Sequence, residues 1–566
     1  MSKLEELKLS GEAPEWLTEQ GLSTLLEGYL LPNETPKGMY KRVSQAAAKN
    51  LRKPQLEDKF FSLIWNNWLC LATPVASNLG TDRALPISCF SEHIEDSVDG
   101  IFKGVHELAM LSKNGGGVGV YLGDVRSRGT GIRGNGKSEG IIPWAKNYDT
   151  ATLSVSQGST RRGASALWLP VRHGDIEEYL PIRRAHGDIN RQCLNIHQGV
   201  CVDDKFMQDV ENGDEYSRKI WTEICRTRLE TGEPYLLFID TVNRTNPECY
   251  IKNNLSVKTS NICSEIVLHT DIYNTFVCCL SSLNLVRWEE WKNTDCVYYA
   301  IMFLDAVMSE FIEKAKNIAG FERAVSFAEK SRALGLGVLG WHTLLQELNI
   351  PFDSFEGMML NRDIFSYIQK ESIRSSEDLA KEYGEPEWCK SSGRRNSHLN
   401  AVAPTATNSV ISGNVSPGIE PNPANAFAMK TAKGTFIIYN PTLKKLLIKL
   451  GKDNSEVWKD IVNNEGSVQQ LDFLNEHQKK VFLTAIEINQ FALVRQAAQR
   501  QKWIDQSQSL NLFFPANVDP TYFHKVHMEA WKTGVKSLYY CRTSSVLKGD
   551  SSSRFNSADD CTSCES

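Results

Sequence analysis

The stretch Ser260-Asn261-Ile262-Cys263-Ser264-Glu265-Ile266 sets an amide, a thiol and a carboxylate at alternate positions. In an extended segment alternate side chains share a face, so Asn261, Cys263 and Glu265 line one side and Ile262, Ser264 and Ile266 the other. The amide can orient a polar substrate and the carboxylate can take or give a proton. A thiol serves as nucleophile, metal ligand or hydrogen-atom donor. The competing reading is a buried strand whose cysteine only packs, because free cysteine is among the most buried residue types.

More thiols and phenols follow. Cys278 and Cys279 stand shortly after that stretch, and Cys89 closes Leu85-Pro86-Ile87-Ser88-Cys89. Cys561-Thr562-Ser563-Cys564 ends the chain in a Ser-, Asp- and Thr-rich segment with little to bury, which predicts disorder over 542–566. As half of a zinc site that pair would need further Cys or His ligands, and none lies nearby. Tyr539 and Tyr540 are adjacent in an apparent last strand, Lys536 to Tyr540, where packing would put one ring on each face. Gly131-Ile132-Arg133-Gly134-Asn135-Gly136-Lys137-Ser138 matches the P-loop pattern, and Gly129, Gly131 and Gly134 match GxGxxG. Both patterns require a strand before and a helix after. Here a charged run, Asp124 to Arg128, precedes, and Pro143 follows where a long helix should be under way, so the context opposes a nucleoside triphosphatase.

These groups need a scaffold, and 566 residues at 41% hydrophobic and 23% charged can bury a large core. A formal net charge of -5 gives no global attraction to nucleic acid. No apolar run approaches the roughly 20 residues of a membrane helix, and the first residues lack a signal peptide's apolar region, so the expected location is the cytoplasm. In that reducing setting 14 cysteines are buried, metal-binding or transiently oxidised rather than a disulfide framework.

Residues 1–70 read as a short helical lead-in. Thr73-Pro74 and Leu85 to Cys89 read as strand ends or loops, Ser97 to Leu111 as a helix with Asp96 placed to cap or charge its start, and Gly115 to Val120 as a turn into a buried strand. Ala164 to Pro170 and Tyr235 to Ile239 read as strands, and Ile182 to Arg191 as a polar, arginine-bearing loop. Helical patterns cover Asp204 to Glu230, Tyr298 to Ala315, Phe365 to Glu382 and Leu471 to Arg500. Helices alternating with short buried strands imply an α/β architecture with a mostly parallel sheet and its chemistry on strand-end loops.

Taken together these pieces resemble the large, catalytic subunit of ribonucleotide reductase, class I in particular. The match rests on residues 260–266, Arg332 to Val338, Ala403-Pro404-Thr405-Ala406-Thr407-Asn408-Ser409, Gly418-Ile419-Glu420-Pro421, Leu538-Tyr539-Tyr540 and the tail cysteines, and spans roughly residues 70–566. The resemblance implies a ten-stranded α/β barrel over 71–541 with a central finger loop carrying the radical cysteine, a helical lead-in over 1–70, and a redox-active tail over 542–566. The lead-in lacks the pattern of the ATP-cone domain found in many relatives, which predicts specificity control without a dATP off-switch.

By this resemblance Cys263 becomes a thiyl radical that abstracts the 3′ hydrogen of the ribose. Asn261 and Glu265 bind the sugar hydroxyls, Glu265 as general base, and Cys89 and Cys278 supply two reducing equivalents and end as a disulfide. Cys278 rather than Cys279 is implied by its offset to Leu280-Ser281. Cys561 and Cys564 would re-reduce that disulfide and receive electrons from thioredoxin or glutaredoxin. Tyr539 and Tyr540 would carry the radical from a separate metal-containing small (beta) subunit; Cys541 after them departs from the pattern. Thr73, Ser88, Gly117 and the run Thr405, Ala406, Thr407 and Asn408 would hold the diphosphate, with backbone donors at Ala406 and Asn408. Asp96, Arg126, Arg133 and Gln157 would bind a nucleotide effector (ATP or a deoxynucleotide), and the loop from Arg183 to Arg191 would report its identity to the substrate site. The implied enzyme is a homodimeric ribonucleoside-diphosphate reductase with no metal or covalently bound cofactor in this chain. A cobalamin-dependent (class II) reductase is the alternative, but its usual motif has Pro and Gly where this chain has Ile262 and Ser264. A glycyl-radical enzyme is disfavoured because the tail offers only Gly549, and a redox scaffold would leave Asn261 and Glu265 idle.

Overall fold

The computed structural model describes residues 1–155, 163–431 and 434–543. Gln157, Cys561 and Cys564, and with them the expected redox tail, lie outside the described residues. The strands in chain order are β1 (Leu69–Leu71), β2 (Cys89–His93), β3 (Gly117–Tyr121), β4 (Ala164–Pro170), β5 (His197–Val202), β6 (Tyr235–Phe238), β7 (Phe276–Asn284), β8 (Leu334–Leu339), β9 (Ala426–Thr431), β10 (Gly434–Tyr439), β11 (Leu512–Phe514), β12 (Ser537–Leu538) and β13 (Cys541–Thr543). β2 to β8 are buried at almost every position, as expected for strands covered on both faces.

β2, β3, β4, β5 and β6 run parallel in that order. β7 and β8 are parallel to each other, β8 bridges the stretch 399–402 at Asn400, and Val402 bridges Gln508, both in parallel sense. The last stave, 537–543, lies parallel to 510–514 through β13 and β11 and through the Tyr539 amide, which donates to the Leu510 carbonyl at 2.9 Å. The two parallel halves meet antiparallel at β2 with β7 and at β6 with β12. The circuit β2, β3, β4, β5, β6, 537–543, 506–514, 399–402, β8, β7 therefore closes into the expected ten-stave barrel. The mostly parallel sheet read from the pattern is present within each half, and two antiparallel junctions set the halves in opposite directions. Periodicity reports burial and is blind to strand direction.

Helices Lys3–Leu9, Glu19–Leu26, Pro36–Asn50 and Glu57–Trp65 form the lead-in, and Phe60 meets Phe303 of the buried helix Cys296–Ala315 edge-on at 5.5 Å. Four local expectations change, one being the pattern Asp204 to Glu230, which divides into Asp204–Asn212 and Glu215–Thr231 at left-handed Gly213. Ser97, not Asp96, caps helix Val98–Lys113, its hydroxyl accepting from the Gly100 amide at 2.9 Å. Thr73 opens a short helix, Thr73–Asn78, in place of a loop. The pattern from Leu471 to Arg500 divides into Glu476–Val481 and Gln490–Gln501, each with its own asparagine cap, Asn475 and Asn489. Each cap starts a separate helix although the apolar spacing runs on.

Candidate active site

Residues 260–266 do not form the extended face that alternation suggested. Ile262 to Ser264 make a turn with Ser264 in the left-handed region at φ 66°. A turn brings positions i and i+4 together, and the Asn261 amide donates to the Glu265 carboxylate at 3.0 Å. Cys263 sits at the tip, buried inside the barrel. The loop enters over β3, where a Cβ added to Gly119 would stand 2.0 Å from the Ser260 carbonyl oxygen, so this strand position admits only glycine.

The far half of the barrel holds the turn. The Ser509 hydroxyl lies 2.6 Å from the Cys263 carbonyl and 3.1 Å from the Glu265 carboxylate, the Ser537 hydroxyl donates to the Ser264 carbonyl at 2.8 Å, and the Ser507 amide donates to the Glu265 carbonyl at 2.9 Å. Burial pushes the Glu265 carboxyl up to about 7, against the lowering effect of bonds from the backbone, Asn261 and Ser509. A group poised there moves protons in either direction at neutral pH. These serines escaped the sequence reading. Their signal is the alternation Gln506-Ser507-Gln508-Ser509, which puts both hydroxyls on one side of a stave.

Cys89 and Cys278 are directly opposed across the antiparallel β2–β7 pair. Opposed residues in such a pair have Cα atoms about 4.5–5.5 Å apart, inside the roughly 4.4–6.8 Å that a disulfide spans. Cys279 is one residue out of phase and points to the other face. The Gln506 side chain donates to the Cys278 sulfur at 3.3 Å, and burial pushes the Cys278 thiol up. A Cβ added to Gly335 on β8 would approach that sulfur at 3.2 Å and Leu280 at 2.3 Å, which accounts for one glycine of the run Leu334 to Val338.

Tyr539 and Tyr540 do not divide between two faces, as simple strand packing would have them. β12 ends at Leu538, and the two rings lie 4.4 Å apart, both against Tyr235 of β6, at 4.7 Å from Tyr539 and 5.0 Å from Tyr540. Continuing the register Ser537 to Leu237 and Leu538 to Leu236 sets Tyr539 opposite Tyr235. Burial pushes the Tyr539 phenol up, and the neighbouring Cys263 thiol adds to that effect. The Tyr540 hydroxyl lies 3.3 Å from His197 Nδ1, itself 2.8 Å from the Glu233 carboxylate. Tyr235, His197 and Glu233 were not anticipated. Only the barrel's closure brings β5 and β6 to the end of the chain.

The expected phosphate-binding residues gather at one place. The Gly117 amide donates to the Ser88 carbonyl at 2.7 Å, the Ser281 hydroxyl of β7 accepts from the Ala72 amide at 3.3 Å beside Thr73, and the Cys70 thiol reaches the Asn408 carbonyl at 3.5 Å. Thr405, left-handed at φ 55°, precedes helix Ala406–Ile411 and accepts the Gly418 amide on its hydroxyl at 2.7 Å. Both polar atoms of the Asn408 amide are buried with no partner among the described residues. Among the expected effector residues, Asp96 and Arg126 pair at 2.8 Å on the half-exposed surface, and Arg133 stands in the exposed glycine loop. That loop closes on itself through a bridge between Gly131 and Lys137, with no strand feeding it and the next helix starting at Ile142, which is not a P-loop. Arg183 binds the Leu194 carbonyl at 3.0 Å and Glu233 at 3.3 Å, and Arg184 and Arg191 are paired to Glu230 and Glu178, so the polar loop is tied down by ion pairs.

A ten-stave barrel with a thiol-tipped loop, a facing dithiol and a tyrosine cluster defines a radical-type reductase. The family comparisons agree: the ribonucleotide reductase all-alpha domain matches residues 15–84, and the ribonucleotide reductase barrel domain matches 87–218, 216–391 and 386–541. The chain belongs to the ribonucleotide reductase large-subunit family. It is 39% identical over 533 residues to a putative ribonucleoside-diphosphate reductase large subunit of Frog virus 3, covering 91% of this chain and 93% of that one. It is 35% identical to the ribonucleoside-diphosphate reductase large subunit of Invertebrate iridescent virus 3, over 96% and 98% of the two chains. Among solved structures, the Actinobacillus ureae class Id ribonucleotide reductase alpha subunit superposes with a TM-score of 0.87 at 40% identity, over 94% of this chain and 97% of that one. Among the described residues no helix is long and apolar enough to cross a membrane.

Proposed function

We propose that this chain reduces ribonucleoside diphosphates to 2′-deoxyribonucleotides, with Cys263 as the hydrogen-abstracting radical. The observation that carries the reading is the convergence on one buried turn of a thiol, a carboxyl poised near neutrality and, across β2–β7, two thiols in disulfide register. Cys263 takes the 3′ hydrogen. Glu265, with Asn261 fixing its orientation, accepts the 3′ hydroxyl proton, which labilises the neighbouring 2′ hydroxyl. That hydroxyl leaves as water while Cys89 and Cys278 give up two electrons and two protons and join as a disulfide, and the 3′ hydrogen returns from Cys263. A ribonucleotide plus a dithiol thus yields a deoxyribonucleotide, water and a disulfide. Thr73, Ser88, Gly117 and Thr405 to Asn408 cradle the diphosphate, with the Asn408 amide supplying a side-chain contact in addition to the backbone donors expected there.

Tyr540 and Tyr539 pass the oxidising equivalent from a radical-generating beta subunit to Cys263. Cys561 and Cys564 re-reduce the Cys89–Cys278 disulfide with electrons from thioredoxin or glutaredoxin. Asp96, Arg126, Arg133 and Gln157 bind a nucleotide effector on a homodimer. The test is deoxynucleotide formation from a ribonucleoside diphosphate with a small dithiol and the source's own radical subunit. Turnover that needs the subunit and disappears in Cys263→Ser is expected. Turnover with adenosylcobalamin alone would overturn the role of the tyrosines.

A further inference from the structure

Two more cysteines meet away from the thiols of the proposed reaction. Cys249, on helix Glu248–Lys252, and Cys389, on the turn Glu387–Cys389, are within hydrogen-bond reach of each other. They flank one joint: the Cys249 thiol faces the Ser397 carbonyl at 3.8 Å, the Cys389 thiol faces the Ser331 carbonyl at 4.0 Å, and the Ser397 amide donates to that same Ser331 carbonyl at 3.0 Å. Their surroundings differ. Cys389 is wholly buried, whereas Cys249 lines a cavity of about 320 Å³ that reaches the surface at exposed Lys502. Arg394 and Lys536 also line it, with Glu248 and Asp505. Both oxygens of the Asp505 carboxylate are taken by the Leu399 and Asn400 amides, at 2.8 and 2.9 Å. With Lys502, three cationic side chains face the two carboxylates, so the lining carries a net positive charge.

The hydrogen bond from Cys389, with Arg394 nearby, holds the Cys249 thiol below the ordinary thiol range despite its burial, while burial drives Cys225 up to about 12. Reactive cysteines are those with thiolate character and access. A purely structural cysteine has neither.

We propose that Cys249 and Cys389 form a third redox-active dithiol, in which Cys249 reacts with a hydroperoxide entering the cavity and Cys389 resolves the product to a disulfide that an anionic thiol of the glutathione class re-reduces. The Cys249 thiolate attacks the outer peroxide oxygen, the O–O bond breaks, and the leaving alkoxide or hydroxide takes up the thiol's proton. The sulfenic acid is then attacked by the Cys389 sulfur, the S–S bond forms, and the S–O bond breaks with loss of water. Two thiols supply the two electrons that reduce one peroxide. The cationic lining favours negatively charged thiols as reductants over neutral ones.

The test treats the full chain, with no substrate present, with increasing hydrogen peroxide, blocks remaining thiols and maps the peptides. A Cys249–Cys389 cross-linked peptide is expected at lower peroxide than any modification of Cys225 or Cys296. In Cys389→Ser a dimedone-type probe should label Cys249, and in Cys249→Ser residue 389 should stay unmodified. Arg394→Glu should slow re-reduction by glutathione by about tenfold relative to uncharged dithiothreitol, because local charge sets the encounter rate of a charged reactant. The proposal is overturned if Cys249 in the unaltered chain is oxidised no faster than Cys225, if only Cys89 and Cys278 cross-link, or if the glutathione-to-dithiothreitol ratio is unchanged in Arg394→Glu. The first two readings need no variant, so a misfolded mutant cannot obscure them.

Discussion

The halves of the barrel meet at two antiparallel seams, and the seams carry opposite chemistry. At β2–β7 two cysteines oppose each other in register, so a covalent bond can form across the junction. At β6–β12 the pairing covers only Ser537 and Leu538, after which Tyr539 and Tyr540 pack against Tyr235 at tilted and edge-on angles. Under the proposed mechanism, one seam exchanges electrons in pairs through a bond. The other holds three rings within 4.4 to 5.0 Å of one another, an arrangement for moving one electron without a bond. The Cys263 turn spans the interior and is held by staves 506–514 and 537–543 of one half while it passes over β3 of the other. In the proposed reaction, closing the barrel puts these three chemistries in reach of one sugar.

The largest effect separates the seams directly. Tyr539→Phe keeps the ring and its packing but removes the phenol, and turnover with the radical subunit should fall by at least about 10³-fold, roughly 4 kcal/mol on the barrier. Substrate affinity and oxidation of Cys89 with Cys278 by an added disulfide should stay as they are. If Tyr539→Phe retains activity, the tyrosine seam is packing only and the comparison fails.

Next is Glu265→Gln, which removes the base and should lower turnover about 10²–10³-fold. It also carries a signature in stability. The folded Glu265 carboxyl holds its proton up to about 7, above its ordinary 4.5, so its contribution to stability is complete below about pH 4 and is lost as pH rises through 7. The unaltered chain should therefore lose about 3 kcal/mol relative to Glu265→Gln between pH 4 and pH 8. Denaturant titrations at the two pH values measure this difference. A constant gap would mean that the carboxyl titrates normally.

Much of the scaffold was readable because it is local. The apolar spacing from Val98 to Leu111 and the buried runs of β3, β4 and β6 identify their elements within a few residues. The motif 260–266 marked Asn261, Cys263 and Glu265 correctly as companions but for the wrong reason, since alternation assumed a strand where a turn stands. That turn is held by Ser509, which reaches Glu265 from 244 positions later in the chain, and no local pattern encodes such a contact. Tyr235 was hidden in the same way, as an ordinary strand aromatic until β12 settles against β6. The glycine loop at 129–138 is the converse case, a full motif match whose exposed setting excludes the chemistry.

At the cysteine seam, Gly335→Ala sharpens the comparison. The new methyl would press on Leu280 and the Cys278 sulfur, costing about 1–3 kcal/mol of overpacking. Disulfide formation between Cys89 and Cys278 should slow while the tyrosine rings, on the other seam, stay in place. Peptide mapping of the disulfide against time measures the first, and tyrosine fluorescence monitors the second.

The smallest effect tests how the two seams share the turn. Ser509→Ala removes a hydroxyl that faces both the Cys263 carbonyl and the Glu265 carboxylate, which should cost about 1 kcal/mol of stability. That hydroxyl lowers the Glu265 pKa by favouring the charged form, so its loss should move the acid limb of the pH–rate profile upward from about 7 by up to about one unit. Activity at pH 8.5 should then be nearly restored while activity at pH 6.5 is reduced. A uniform loss at both values would assign Ser509 to positioning Cys263 through its carbonyl, and would place the turn's geometry, rather than its proton, under the control of the 506–514 stave.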